Sequence, residues 1–134
     1  MKVEELMMRD IIAAKETDSL NTAMKLMKEN SIKHLPIVNK DNKLVGIVTD
    51  RDIKRASASD ATMLEVHEML YLLDKVTLAQ VMTRNPVSGS PVMTMQEAAA
   101  TMVKNKIGCL PVTIGGKLEG MLTVTDFLKF LANQ

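Results

Sequence analysis

Apolar residues recur along the chain at the spacing of two amphipathic helices. The first set is Leu20, Ala23, Met24 and Met27, and the second is Met95, Ala98, Ala99 and Met102. Positions i, i+3, i+4 and i+7 share one face of an α-helix, so each set predicts a helix that packs on a core. Thr94 with Glu97 predicts a capping box at the second helix start. Asn30 and Asn105 stand where a left-handed stop residue is expected.

Each helical pattern is followed by two short apolar segments with a polar turn between them, which predicts a pair of strands. The segments are His34 to Val38 and Leu44 to Val48 in the first half, and Cys109 to Ile114 and Leu118 to Leu122 in the second. A Thr-x-x-Asp sequence then predicts another helix, because Thr is a favourable N-cap and Asp is favourable in the first turn. Each half therefore predicts the order strand–helix–strand–strand–helix.

The two halves are copies of one sequence pattern at an offset of 75 residues. Residues 30–36 read NSIKHLP and residues 105–111 read NKIGCLP. At the same offset Met7 corresponds to Met82. After the Leu-Pro pair the offset becomes 74, which is a one-residue difference in a loop. The duplication predicts two similar structural units, neither of which has much core alone.

Residues 54–76 have no counterpart in the other copy. Thr62 with Glu65 predicts a capping box that opens a helix through the end of this segment. The apolar face of that helix either packs on the domain or contacts a second copy of the chain, and the sequence leaves both interpretations open. Thr77 and Gln80 predict a further short helix. The apolar face comprises Met63, Val66, Met69, Leu70 and Leu73.

Composition indicates a globular protein. The chain has 134 residues, of which 46% are hydrophobic and 25% charged, a balance that argues against a disordered or fibrous chain. A net charge of +1 and an aromatic content of 2% argue against nucleic-acid binding. No apolar run approaches the roughly 20 residues of a membrane span, and early charges argue against a signal peptide. We therefore expect a cytoplasmic protein without a membrane partner.

Few residues are candidates for metal or catalytic chemistry. Cys109 is the single cysteine, so an intrachain disulfide is excluded and a buried, inert thiol is expected. His34 and His67 are the two histidines, and without a carboxylate cluster they give no metal site. No Ser/His/Asp, Cys/His or paired-carboxylate arrangement emerges from the spacing, so enzymatic activity is not expected.

Two duplicated motifs point to a known family. Gly-x-x-Thr-x-x-Asp occurs at residues 46–52 and 120–126, and Ile-x-x-Leu-Pro occurs upstream at residues 32–36 and 107–111. Together they resemble the cystathionine-beta-synthase (CBS) domain pair, or Bateman module. Residues 61–73 are further similar to the linker of AcuB-type acetoin-utilisation proteins. No single motif is specific, but the duplicated set in this order is, and it covers nearly the whole chain.

The resemblance implies an α/β fold of two tandem CBS units (β-α-β-β-α) related by a pseudo-twofold, with an inserted linker helix. It divides the chain into a first repeat at residues 1–53, a linker at residues 54–76 and a second repeat at residues 77–134, which together form one stand-alone pair. It also implies a homodimer.

The resemblance implies a regulatory function as well. Such a pair binds AMP, ADP, ATP or S-adenosylmethionine as a ligand in clefts between the repeats, requires no cofactor, and signals through dimer geometry to a protein target in trans. The alternative is a nucleotide-independent protein-interaction scaffold whose clefts are filled by methionine side chains. Thermal melting discriminates between them, because a ligand that binds only the folded state raises the midpoint.

The Thr-x-x-Asp residues have the chemistry to hold a ribose. The carboxylates of Asp52 and Asp126 can accept charge-assisted hydrogen bonds from two neighbouring hydroxyl groups, with Thr49 and Thr123 one helical turn earlier. The alternative interpretation of each motif is a helix cap, and capping and binding can coexist. The resemblance adds candidates for the adenine pocket and the phosphate end. These are Ile12, Ala13, Lys33, His34, Leu35, Pro36, Arg51, Val87, Ser88, Cys109, Leu110 and Pro111.

The two copies differ at the phosphate end. Lys33, His34 and Arg51 in the first copy correspond to Gly108, Cys109 and Thr125 in the second. The first copy therefore supplies more positive charge, and we expect two non-equivalent sites, of which one is empty or holds an uncharged ligand. The alternative for Lys33 and Arg51 is that they are solvated surface charges.

Overall fold

The computed structural model describes residues 1–58 and 66–134, so the predicted capping box at Thr62 and Glu65 lies outside the described residues. A 3-10 turn at Val3–Glu5 opens the chain. The other elements are β1 (Ala14–Lys15), α1 (Leu20–Asn30), β2 (His34–Val38), β3 (Leu44–Thr49), α2 (Asp50–Ala58), α3 (Val66–Lys75), α4 (Leu78–Val81), β4 (Thr83–Arg84), α5 (Met95–Asn105), β5 (Cys109–Ile114), β6 (Lys117–Thr123) and α6 (Val124–Ala132). The fold is mixed α/β, as predicted.

The backbone divides into two compact units. The central unit comprises residues 12–85, and the terminal unit comprises residues 1–11 together with residues 86–134. Each unit therefore takes most of its chain from one sequence copy and a short segment from the start of the other. The repeat boundaries at residues 53 and 76 follow the sequence pattern alone and remain a prediction.

The central unit is built on a four-stranded sheet in the order β1-β2-β3-β4. β1 runs parallel to β2, whereas β2–β3 and β3–β4 are antiparallel pairs. The hydrophobic core of this unit includes four fully buried residues: Leu35 and Ile37 of β2, Leu20 of α1 and Leu78 of α4. Leu73 of α3 packs in the same core, so at this residue the linker helix covers its own chain, as the first of the two interpretations predicted.

The terminal unit is built on the antiparallel hairpin β5–β6, with α5 and α6 packed against it. The start of the chain completes this unit, because the backbone N–H of Val3 donates to the carbonyl of Met93 at 2.8 Å and Met8 bridges Met121. Val3 is fully buried in the core of this unit. The other core residues are Met95, Leu110, Val112 and Leu122.

The predicted capping box at Thr94 is confirmed. The short helix predicted at Thr77 and Gln80 is also confirmed: it is α4, and the structure shows that these two residues form a capping box at its start. The predicted helix stops are wrong by one residue. Ser31 and Lys106 adopt the left-handed conformation, with φ of 52° and 55°, instead of Asn30 and Asn105. The reason is that each asparagine side chain donates to the carbonyl four residues earlier, at 2.8 Å, which keeps it in the last helical turn.

A methionine lies against a strand glycine in each unit. A Cβ atom added at Gly46 would lie 2.8 Å from Cγ of Met82, and one added at Gly120 would lie 2.8 Å from Cγ of Met7. Met7 and Met82 are equivalent in the two sequence copies. The glycines thus let the opening segment of one copy approach the strand of the other copy closely.

We expect Gly46→Ala to destabilise the protein by roughly 1–3 kcal/mol, because its methyl group would displace the Met82 side chain from a packed core. Met82 is 8% exposed, so Met82→Ala should cost roughly 2–5 kcal/mol by leaving a cavity. In the double variant the new methyl group enters that cavity. The loss of stability should therefore be smaller, by about 1–2 kcal/mol, than the sum of the losses in the two single variants. Urea unfolding measures all three, and strict additivity would contradict the contact.

Candidate functional site

One end of the central sheet gathers the site residues that the sequence predicted for the first copy. His34, at the start of β2, pairs with Thr49 at the end of β3. The backbone N–H of Asp50, which opens α2, donates to the carbonyl of Lys33 at 3.0 Å. Because β1 is parallel to β2, residues 12–13, directly before β1, lie at this same end. Three segments of the predicted site therefore meet within one unit.

The terminal unit repeats this arrangement with the residues of the second copy. Cys109 pairs with Thr123, and the N–H of Val124 donates to the carbonyl of Gly108 at 3.3 Å. The N–H of Gly89 donates to the carbonyl of Pro111 at 2.8 Å, which places Val87 and Ser88, directly before Gly89, at the same end of the hairpin.

Both Thr-x-x-Asp motifs form helix caps. The N–H of Thr49 donates to Oδ2 of Asp52 at 2.9 Å, and the N–H of Asp52 lies 3.3 Å from the Thr49 hydroxyl oxygen that accepts it. In the other unit, the N–H of Thr123 donates to Oδ2 of Asp126 at 2.8 Å. Within the described part of the chain, Oδ1 of either aspartate accepts no hydrogen bond. Each carboxylate therefore caps its helix with one oxygen and retains the other as an acceptor.

Burial separates the predicted residues into two groups. Leu35, Pro36, Leu110 and Pro111 are fully buried, so they shape the site through core packing and their backbone rather than through accessible side chains. Cys109 is also buried, and burial raises the pKa of its thiol to about 12, so the thiol is neutral and inert as expected. The remaining predicted residues are half-buried or exposed. They are Ile12, Ala13, Lys33, His34, Thr49, Arg51, Asp52, Val87, Ser88, Thr123 and Asp126.

The two ends differ in charge. The exposed side chains of Lys33 and Arg51 flank the cap of α2, and neither has a positively charged equivalent in the terminal unit. Burial lowers the pKa of His34 below its ordinary value of 6.5; Lys33 also lowers it, while Asp50 acts in the opposite direction. His34 is therefore mainly neutral at pH 7, and Lys33 and Arg51 carry the positive charge.

The lowered pKa of His34 predicts a pH-dependent stability. The unfolded chain binds the His34 proton more tightly than the folded chain does. The contribution of neutral His34 to the free energy of unfolding is therefore present in full above pH 6.5, and it is lost as the pH falls through the pKa of folded His34. Urea unfolding between pH 8 and pH 5 measures this dependence. The variant His34→Gln should have a flatter profile below pH 6.5, and an identical slope in both proteins would contradict the assignment.

No group of three or more His, Cys, Asp or Glu side chains among the described residues is placed to hold a metal ion. In the same part of the chain, no helix combines the length and apolar character needed to cross a membrane.

Sequence reasoning missed an apolar groove of about 530 Å³ between α5 and α6 of the terminal unit. A comparison of the two copies could have predicted it. Val103 and Val124, which line the groove, are apolar, whereas the equivalent residues of the first copy are the charged Lys28 and Asp50.

Comparison with known proteins agrees with this architecture. The family model of the CBS domain matches residues 3–59 and 78–133. A Vibrio cholerae protein assigned to acetoin utilization (AcuB) is 35% identical with a TM-score of 0.83, over 99% of this chain and 91% of that one. The chain spans 43% of the length of a Methanocaldococcus jannaschii protein with which it is 32% identical over 135 residues.

The similar solved structures include complexes with adenosine-containing ligands. The CBS domain pair of protein MJ0100, in complex with 5'-methylthioadenosine and S-adenosyl-L-methionine, is 28% identical with a TM-score of 0.83, over 99% of this chain and 97% of that one. CBSX2 in complex with AMP is 25% identical with a TM-score of 0.81, over 98% and 96% of the two chains.

Proposed function

The chain belongs to the CBS domain family, and from this premise we propose that it is a regulatory module that binds an adenosine-containing ligand. The observation that carries the proposal is the repeated cap, in which Asp52 and Asp126 each keep one carboxylate oxygen without a partner among the described residues. The adenosyl ligands of MJ0100 and CBSX2 support it, because those proteins are similar over nearly the whole chain.

In this proposal each aspartate accepts hydrogen bonds from the ribose hydroxyl groups. Thr49 and Thr123 lie beside the ribose. Adenine contacts the half-buried apolar residues Ile12 and Ala13 in the central unit and Val87 in the terminal unit. Lys33 and Arg51 of the central unit attract a phosphate, with support from the helix N-terminus. The terminal unit has no equivalent positive charge, so it favours an uncharged or cationic adenosyl compound.

The proposed output is a change in the geometry of a homodimer that a protein target in trans detects. Ligand binding shifts such an equilibrium only as far as the ligand binds one state more tightly than the other. The module acts in the cytoplasm as a regulator, and it catalyses no reaction itself.

Calorimetric titration of nucleotide-free protein with AMP, ADP, ATP and S-adenosylmethionine tests the proposal. We expect a saturable isotherm with at least one of them and a matching rise in the melting midpoint, since a ligand at one hundred times its Kd adds about 2.7 kcal/mol. If millimolar ligand gives neither heat nor a midpoint shift, the proposal is wrong, and the interaction scaffold becomes the better interpretation.

A further inference from the structure

His34 and Asp50 are two titratable residues at the end of the central unit where we place the ligand. His34 opens β2 and lies directly opposite Thr49, the last residue of β3, and Asp50 follows Thr49 as the first residue of α2. Residues directly opposite each other on antiparallel strands carry their side chains on the same face of the sheet, with Cβ atoms about 4.5–5.5 Å apart. The imidazole of His34 therefore lies beside the cap of α2, in which the Thr49 hydroxyl accepts the N–H of Asp52.

Two charged groups act on the His34 imidazole, and they have opposite effects. Burial of the ring and the neighbouring Lys33 favour the neutral form and prevail, whereas Asp50 favours the protonated form. The other elements packed against β2 are β1, α1 and β3, and among the described residues they add no further charge that acts on the ring. His34 and Asp50 are both half-buried, so solvent screens the interaction between them only in part.

The pair is present in one copy of the repeat and replaced as a whole in the other. The residues equivalent to His34 and Asp50 are Cys109 and Val124, neither of which is charged at neutral pH. The backbone N–H of Val124 donates to the segment before β5, just as that of Asp50 donates to the segment before β2. The repeated fold therefore forms without the pair, and the pair is a property of the central site.

A phosphate at this end of the central unit would meet groups of both signs. Lys33 and Arg51 attract it, whereas the Asp50 carboxylate repels it. Asp50 also occupies a donor that an anion could use, because its Oδ1 accepts the backbone N–H of Arg51, in the first turn of α2, at 3.0 Å. A protonated His34 would offset the charge of Asp50 and present a charged N–H donor, whereas a neutral His34 leaves the repulsion in place.

We propose that the central unit takes up a proton on His34 when it binds a phosphorylated adenosine ligand, so that its affinity for such a ligand rises as the pH falls. The proton comes from the solvent, and no covalent bond to the ligand forms. This inference rests on the proposed function and specifies how its central site is regulated.

The direction of the pH dependence follows from the two states of the site. Without ligand, the pKa of His34 lies below its ordinary value of 6.5, so the imidazole is mainly neutral at pH 7. A bound phosphate raises that pKa, because a nearby negative charge favours the protonated ring. The complex therefore holds more protons than the empty protein between the two pKa values. Lowering the pH through this interval tightens binding by at most about ten-fold for each pH unit.

Calorimetric titration of the full chain with AMP at pH 7, in PIPES and in imidazole buffer, counts the protons that binding takes up. The two buffers release different heats on ionisation, so the measured enthalpies differ in proportion to the proton count. We expect an uptake of roughly 0.2–0.8 proton, and an AMP dissociation constant that falls about two-fold to ten-fold between pH 8 and pH 6.5. The AMP phosphate remains mainly dianionic over that range, because the second pKa of a phosphate monoester is about 6.

Three variants separate His34 from other sources of protons. His34→Gln keeps a polar side chain that cannot be protonated, so it should abolish the uptake and flatten the pH dependence of AMP binding. His67→Gln removes the other histidine of the chain, on α3, and is the matched control that should behave as the wild type. Asp50→Asn removes the repelling charge and should tighten AMP binding at pH 8 at least about two-fold. Circular dichroism and melting establish that all three variants are folded.

Equal proton uptake by the wild type and His34→Gln would overturn the inference, and so would uptake of the same size with 5'-methylthioadenosine, which has no phosphate. Weaker AMP binding by Asp50→Asn at pH 8 would overturn the repulsion on which the inference depends. If S-adenosylmethionine binds but AMP, ADP and ATP do not, the inference is wrong and the proposed function stands. If none of the four binds, both are wrong.

Discussion

The affinity of the chain for AMP should fall between about ten-fold and a hundred-fold when Asp52 is replaced by asparagine. A hydrogen bond to a charged group contributes about 1.5–3 kcal/mol, and each 1.4 kcal/mol is a factor of ten in affinity. Asparagine keeps an oxygen that can accept the Thr49 N–H, which lies 2.9 Å from the carboxylate in the wild type. The substitution therefore removes the charge that a ribose would meet while preserving the helix cap.

Asp126→Asn makes the same substitution in the terminal unit and serves as the matched control. If AMP binds beside Lys33 and Arg51, Asp126→Asn should leave AMP affinity within about two-fold of the wild type, and should instead weaken an uncharged adenosyl ligand. Calorimetry of both variants measures the difference. Loss of AMP binding in Asp126→Asn alone would reverse the assignment, and unchanged binding in both would exclude the aspartates as ribose ligands.

Asp52→Ala separates capping from binding. Alanine removes the acceptor for the Thr49 N–H, so it should lower the free energy of unfolding by about 1 kcal/mol, whereas Asp52→Asn should lower it by much less. Urea unfolding without ligand gives this comparison. An equal stability loss in both variants would mean that the negative charge, and not the acceptor oxygen, stabilises the start of α2.

The residue types of the candidate site could be predicted from the sequence because they occur at equivalent positions in both copies of the repeat. Thr49 and Asp52 recur as Thr123 and Asp126, and such a recurrence identifies positions under one common constraint. The sequence did not determine which oxygen of each carboxylate accepts the capping hydrogen bond and which is left as an acceptor. It also did not show that Leu35 is fully buried, because burial depends on which elements cover a strand.

Local structure was predictable for the same reason that long-range packing was not. Helix stripes and hairpin turns depend on residues a few positions apart, and these elements are present as predicted. The close contact of Met82 with Gly46 joins residues from different copies, and no periodicity encodes such a pairing. The left-handed residue is Ser31 and not Asn30, because the side chain of Asn30 donates a hydrogen bond back into its own helix.

A fragment comprising residues 12–85 should unfold cooperatively in urea, whereas a fragment of similar length comprising residues 1–76 should have no folded baseline. The second fragment follows the sequence repeat but lacks Leu78, which is fully buried in the core of the central unit, and Met82. Loss of each large core side chain costs roughly 2–5 kcal/mol, and the whole stability of a domain is about 5–15 kcal/mol.

Backbone contacts lead to the same expectation. The N–H of Leu78 donates to the carbonyl of Asp18 at 2.8 Å, and the N–H of Ala79 donates to the carbonyl of Glu16 at 3.0 Å. β4 supplies the last strand of the sheet by pairing with β3. A chain that ends at residue 76 loses all of these partners, whereas residues 1–11, which it retains, pack in the terminal unit and cannot replace them.

Leu78→Ala in the full chain tests the same contact without truncation. It should lower the free energy of unfolding by roughly 2–5 kcal/mol, because the site is fully buried. Leu72→Ala, at a residue 39% exposed on α3, is the matched control and should cost less than about 1 kcal/mol. If fragment 1–76 unfolds cooperatively and Leu78→Ala has only a small effect on the free energy of unfolding, the folding unit is the sequence repeat. The opposite result means that folding of the central unit requires the opening segment of the second copy, so the first copy does not fold without part of the second.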